Sequence, residues 1–131
     1  MTHPTTGRRL SVLPDAYFEL TYADGRVQCA MLEIDMDTVT DDDFTDKLTA
    51  LERYRSGGHF QRDFGHDAFE TLVLTCTEER RTDLWALGRK TVPAASWRWY
   101  SFATFEALAP GRLDDALWRN LSGERTGLLY D

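Results

Sequence analysis

The sequence predicts an α/β fold in which one mixed β-sheet is flanked by helices. Three observations carry that expectation. Two apolar segments of strand length bracket the Asp24-Gly25 dipeptide, a strong hairpin signal. Two stretches with helical spacing follow, each opened by a threonine. Each of these leads into another apolar stretch of strand length, so strand, helix and strand alternate and imply right-handed crossovers.

Taken in order, residues 1–8 are expected to form a flexible leader, and residues 9–131 a single domain. Arg9 to Leu13 reads as a short strand that ends at Pro14-Asp15. Ala16 to Tyr22 is a second strand, rich in apolar and aromatic residues. Val27 to Asp35 is a third, apolar on both faces, which suits a strand covered on both sides. Thr40 caps a helix with Asp43 three residues on, and Phe44, Leu48 and Leu51 share one side of it. Gly57-Gly58 ends that helix, and His59 to Asp67 reads as a polar loop. Phe69 to Cys76 is an apolar strand. Thr77 caps a helix over 78–89, Trp97 to Phe102 is a strand, and a helical turn follows near Thr104 to Leu108. Apolar pieces at Leu113 to Leu121 and Gly127 to Tyr130 close the chain. The order is β-β-β-α-β-α-β.

With 131 residues and 42% hydrophobic content the chain can build one core without disulfides or metal staples. Cys29 and Cys76 lie far apart in apolar runs, a pattern of buried thiols in a reducing compartment. No stretch is apolar enough to span a membrane, and the polar start argues against export, so a cytoplasmic protein is expected. The net charge of −7 argues against a generic nucleic-acid coat. That charge is local, however. Glu33, Asp35, Asp37, Asp41, Asp42, Asp43 and Asp46 stand within 14 residues that hold no lysine or arginine. Without these seven, 15 acids face 15 bases. Lysine is scarce, with only Lys47 and Lys90 against 13 arginines.

Three carboxylates form a candidate cation site. Glu33 and Asp35 are two apart on one strand and point to one face, their attachment points about 6.7 Å apart. Asp15 opens the neighbouring strand behind a proline. Mg²⁺ or Mn²⁺ takes a few carboxylate oxygens plus waters, and such a centre activates water and stabilises charge on phosphate. The acids Asp41, Asp42, Asp43 and Asp46 have a simpler reason, since a helix N-terminus favours negative charge by a few tenths of a kcal/mol up to about 1 each.

Pro14-Asp15, then Glu33-Ile34-Asp35 one hairpin later, then a helix, resembles the PD-(D/E)xK nuclease fold. The resemblance places that family's aspartate at Asp15 and its acidic residue at Glu33. Its lysine falls at position 35, where this chain has Asp35; members that take the lysine from the following helix point to Lys47. From about Arg9 to Tyr130 the chain also resembles the replication-relaxation family of plasmids and integrative elements. The residues carrying this likeness are Leu13-Pro14-Asp15-Ala16, Leu32-Glu33-Ile34-Asp35 with Thr38, Lys47, Tyr54 and the region ending near Trp118. Members typically carry a winged-helix DNA-binding part before this region, and Pro14-Asp15 comes too early here for one. This implies a short member or an excised domain.

The resemblance implies Mg²⁺- or Mn²⁺-dependent cleavage of DNA, with Asp15, Glu33 and Asp35 as metal ligands and Lys47 offsetting transition-state charge. The rival expectation is a non-catalytic accessory module that binds DNA or a plasmid replication or mobilisation protein, which the departure at Asp35 favours. Lys47 has a second reading as the helical partner of Asp43, four residues earlier. His59, His66, Asp63 and Asp67 match no zinc spacing and no cysteine adjoins them, so this stretch reads as a surface loop, with Arg62 within reach of a nucleic-acid backbone. Trp97, Arg98, Trp99 and Tyr100 have a base-stacking reading, but aromatic strands mostly face the core.

Overall fold

A computed structural model of the chain describes residues 14–108 and 118–126. The expected strand Arg9–Leu13, most of the segment 113–121 and the piece 127–130 lie outside these residues.

The Asp24-Gly25 turn forms as predicted. Gly25 adopts φ +91°, a conformation that side chains rarely allow, and its N–H donates to the Tyr22 carbonyl at 2.9 Å. The turn joins β1 (Ala16–Thr21) to β2 (Val27–Ile34) as an antiparallel pair, with Glu19 opposite Cys29. Helix α1 (Asp41–Ser56) starts where the Thr40 hydroxyl accepts the Asp43 N–H at 3.1 Å, and Gly57 closes it. Helix α2 (His59–Phe64) follows, then β3 (Glu70–Thr75), which pairs in parallel with β2. Helix α3 (Glu78–Thr91) is capped by the Thr77 hydroxyl and crosses over to β4 (Tyr100–Thr104), again parallel. The short helix α4 (Phe105–Leu108) and antiparallel strands β5 (Trp118–Asn120) and β6 (Arg125–Thr126) complete the described fold. All six strands form one mixed sheet in chain order.

The strand period of two sorts the core into two layers. Cys29, Met31, Val73, Tyr100 and Phe102 face α1 and α3 and pack with Phe44, Leu48, Leu51 and Leu84. Ala30, Leu72, Ala103 and Trp118 face the other way and pack with Leu108. Each fully buried Leu or Phe contributes about 1.5–3 kcal/mol. The expected α/β class with a mixed, helix-flanked sheet is therefore present.

Two elements differ from expectation. The stretch 59–64 is a helix, not loop. Gly58, at φ +75°, turns the chain, and Phe60 then buries against Phe69 at 4.6 Å and Phe64 at 5.0 Å between ring centroids. Tertiary aromatic packing outweighs the polar composition there. The strand expected at 97–102 begins only at Tyr100, because Ala94–Trp99 forms a 3₁₀ helix. There the Trp97 ring N–H donates to the Val92 carbonyl at 2.8 Å and the Arg89 guanidinium lies 4.0 Å from the ring centroid, so local contacts hold Trp97 out of the sheet. Tyr100 is buried, while Trp97 and Trp99 are partly buried against the same core, so this run is mostly core as expected.

Helix α3 meets the sheet at Gly88, where an added Cβ lies 2.9 Å from Leu121 Cδ2 and 3.4 Å from Phe102 Cζ. Leu121 and Phe102 are fully buried, so the Leu121 side chain has to shift within the packed core. Overpacking costs about 1–3 kcal/mol, and the helix gain from alanine returns about 0.5–1. Gly88→Ala is expected to destabilise by about 1–2 kcal/mol, read as a lower urea midpoint at unchanged slope.

Candidate functional site

Asp15 sits just before β1 and is bound to the end of β2. Its backbone N–H donates to the Leu32 carbonyl at 3.0 Å, and its Oδ2 accepts the Ile34 N–H at 2.7 Å. Glu33, one residue earlier on β2, turns toward α1 and is only 4% exposed. Lys47, one turn into α1 beyond Phe44, donates from Nζ to Glu33 Oε2 at 2.9 Å. The lysine therefore pairs with Glu33 across the fold. Val39, Phe44 and Val73 wall a small cavity beside the pair, of about 10 Å³. Burial in this setting pushes the Glu33 carboxyl above its usual range, against the hydrogen bond and charge of Lys47; the charge of Asp15 pushes it further up.

Asp35 shares the face of Glu33 but has other partners. Its Oδ2 accepts from the Thr75 hydroxyl at 2.7 Å, Arg80 Nε at 3.1 Å and the Asp37 N–H at 3.3 Å. Its Oδ1 accepts from Arg80 Nη2 at 3.4 Å. Arg80, in the first turn of α3, also donates to the Val39 carbonyl at 2.8 Å and lies near the exposed Asp37 and Asp41. Asp37 takes a left-handed φ of +63°, which folds the chain back so that its N–H reaches Asp35. Burial alone would raise the Asp35 carboxyl, but the hydrogen bonds from Arg80 and Thr75 outweigh it and hold the group below its usual range. Asp35 thus ties β2 to β3 and α3.

The four expected site residues fall into two sets. Asp15, Glu33 and Lys47 converge at the end of β2, whereas Asp35 is saturated by Arg80 and Thr75. Among the described residues, Asp15, Glu33 and Asp35 do not form a group of three donors within 4.8 Å of one another. The acids at 41–43 belong to the first turn of α1, as expected.

The stretch 59–67 held a signal that spacing did not reveal. His66 Nε2 lies 3.5 Å from Glu19 Oε2, and Cys29 joins them, with all three donor atoms within 4.8 Å of one another. Sequence spacing hides this cluster because the three residues come from β1, β2 and the connection before β3. The Glu19–Cys29 hairpin register was the available clue. His59 instead accompanies Arg62 at 2.9 Å and stacks on Tyr54. The Tyr54 hydroxyl donates to Asp63 at 2.7 Å, and burial together with that bond pushes its pKa up to about 12. Both cysteines are free thiols, Cys29 buried and Cys76 partly so. No helix among the described residues is long and apolar enough to cross a membrane.

No protein-family model, curated protein or solved structure matches the chain.

Proposed function

We propose that the chain is a PD-(D/E)xK-like domain of the replication-relaxation type that cleaves DNA phosphodiesters with Mg²⁺ or Mn²⁺. The observation that carries this reading is Lys47 Nζ at 2.9 Å from Glu33, at the strand end to which Asp15 is anchored. Two carboxylates, a lysine from the following helix and no lysine at position 35 correspond to the variant of the resembled pattern in which the lysine has moved.

The donor set fits a hard divalent cation, since Asp15 and Glu33 offer carboxylate oxygens at adjoining strand ends. A bound cation would polarise the phosphate and lower the pKa of the attacking water. Glu33 must be ionised to serve, and Lys47 favours that form against burial. Lys47 is also the positive group beside the place where negative charge develops on the phosphate. Asp35 acts at one remove, by fixing the β2 end against α3.

The test is cleavage of supercoiled and linear DNA in Mg²⁺ or Mn²⁺, beside Asp15→Ala. Cleavage by the wild type and none by the variant supports the reading. No cleavage by either, or equal cleavage by both, overturns it. Lys47→Met is expected to lower the cleavage rate by about 10²–10³-fold. The substitution removes a competing cation from Glu33 but also lets its pKa rise, so Mn²⁺ affinity by calorimetry is expected not to fall when measured well above that pKa, where the carboxylate is ionised.

The second reading, a non-catalytic accessory module for DNA or a plasmid replication or mobilisation protein, has one observation in its favour. Lys47 already balances the buried charge of Glu33 without any metal. DNA binding without cleavage, undiminished by Asp15→Ala, is its expected result.

A further inference from the structure

The geometry points to a transition-metal site, best suited to Zn²⁺, formed by Cys29 Sγ, His66 Nε2 and a Glu19 carboxylate oxygen. Glu19 and Cys29 face each other across the β1–β2 pair, and His66 comes over them from the connection between α2 and β3. The three donor atoms lie within 4.8 Å of one another, and His66 Nε2 is 3.5 Å from Glu19 Oε2. Two ligands at ordinary zinc bond lengths sit about 3.3 Å apart across a tetrahedral angle, so small side-chain movements close the site. Sulfur, imidazole and carboxylate together select zinc over Mg²⁺, which takes oxygen. The Tyr17 hydroxyl donates to Glu19 Oε2 at 2.7 Å and fixes the carboxylate that would bind. The buried Cys29 sulfur shares the Tyr17 hydroxyl with Glu19, and so adds a third donor turned to the same point as the histidine–carboxylate pair.

This site is independent of the Asp15–Glu33 centre. Cys29 and Glu33 are four residues apart on β2, about 13 Å at the usual strand rise. Three protein donors leave a fourth position for water. Binding at this point joins the β1–β2 hairpin to the connection after α2, and it requires the Cys29 thiol to give up its proton to solvent.

The experiment is a cobalt(II) titration of the reduced, tag-free chain, followed by its thiolate-to-metal absorption band. One equivalent producing that band, displaced by Zn²⁺, is the expected result. Cys29→Ser abolishes the band, His66→Ala weakens binding by at least about tenfold, and Cys76→Ser leaves both unchanged. His66→Ala, with circular dichroism matching the wild type, decides the matter if the Cys29 variant fails to fold. Absence of the band, its survival in Cys29→Ser, undiminished affinity in His66→Ala, or its loss in Cys76→Ser overturns the site. Oxygen ligands at Asp15 and Glu33 produce no sulfur band, so the two centres are told apart.

Discussion

Glu33→Gln is expected to lower Mn²⁺-dependent DNA cleavage by at least about a thousandfold while leaving the fold intact. The first half follows from chemistry. Glutamine keeps the shape of the side chain but removes the negative oxygen that a hard cation requires. The second half follows from linkage. The folded-state pKa of Glu33 is raised, so its contribution to stability is fully present below the unfolded value near 4.5 and is lost as pH rises through the folded value. At neutral pH its charge therefore opposes folding, and a neutral side chain does not. Thermal unfolding of the variant is expected within a few degrees of the wild type. For the same reason Mn²⁺ affinity in the wild type rises as pH climbs through the raised pKa, because proton and metal compete for one carboxylate. An affinity independent of pH across the range just above 4.5 would count against Glu33 as a ligand.

Asp35→Ala is expected to have the opposite profile, with a large loss of stability. Arg80 is 12% exposed and Asp35 4%, so the substitution leaves a guanidinium without its main partner in a nearly dry setting. Breaking a buried pair by removing one member costs about 3–5 kcal/mol. Arg80 keeps the Val39 carbonyl and the exposed Asp37 and Asp41, which places the expected loss near the lower end, about 3 kcal/mol. The pH dependence has a definite sign. The folded-state pKa of Asp35 lies below the ordinary 3.8, so its stabilisation is present above 3.8 and is lost as pH falls through the folded value. Urea denaturation is expected to show a wide gap between wild type and variant at neutral pH that narrows in strong acid. A variant as stable as the wild type at neutral pH would contradict the role given to Asp35.

Local chemistry made much of the fold legible. The Asp24-Gly25 hairpin and the Thr40 and Thr77 caps each rest on residues a few positions apart, and all three form where composition and spacing place them. The helix at 59–64 and the late start of β4 depend on how the rings of Phe60 and Trp97 pack, on Phe69 and at the Val92 carbonyl, which the apolar and polar spacing does not encode. The site divides in the same way. Glu33 and Asp35 are two apart on one strand and do share a face, as the period of two requires. Which of them faces Lys47 and which faces Arg80 depends on how α1 and α3 lie across the sheet. The acidic segment is resolved the same way: two of its seven carboxylates have a cation brought to them by the fold, Lys47 on Glu33 and Arg80 on Asp35. The cluster of Glu19, Cys29 and His66 lay furthest from view, since it needs both the hairpin register and the return of the chain after α2.

Whether Asp15 and Glu33 together hold a divalent cation is open to direct observation. Crystals grown or soaked in Mn²⁺, with anomalous diffraction recorded, locate the ion directly. The expected result is one peak bridging carboxylate oxygens of Asp15 and Glu33, with Asp35 still bound to Arg80 and Thr75. Saturating Mn²⁺ with no peak between Asp15 and Glu33, or with the ion on Asp35 in place of Arg80, would contradict it.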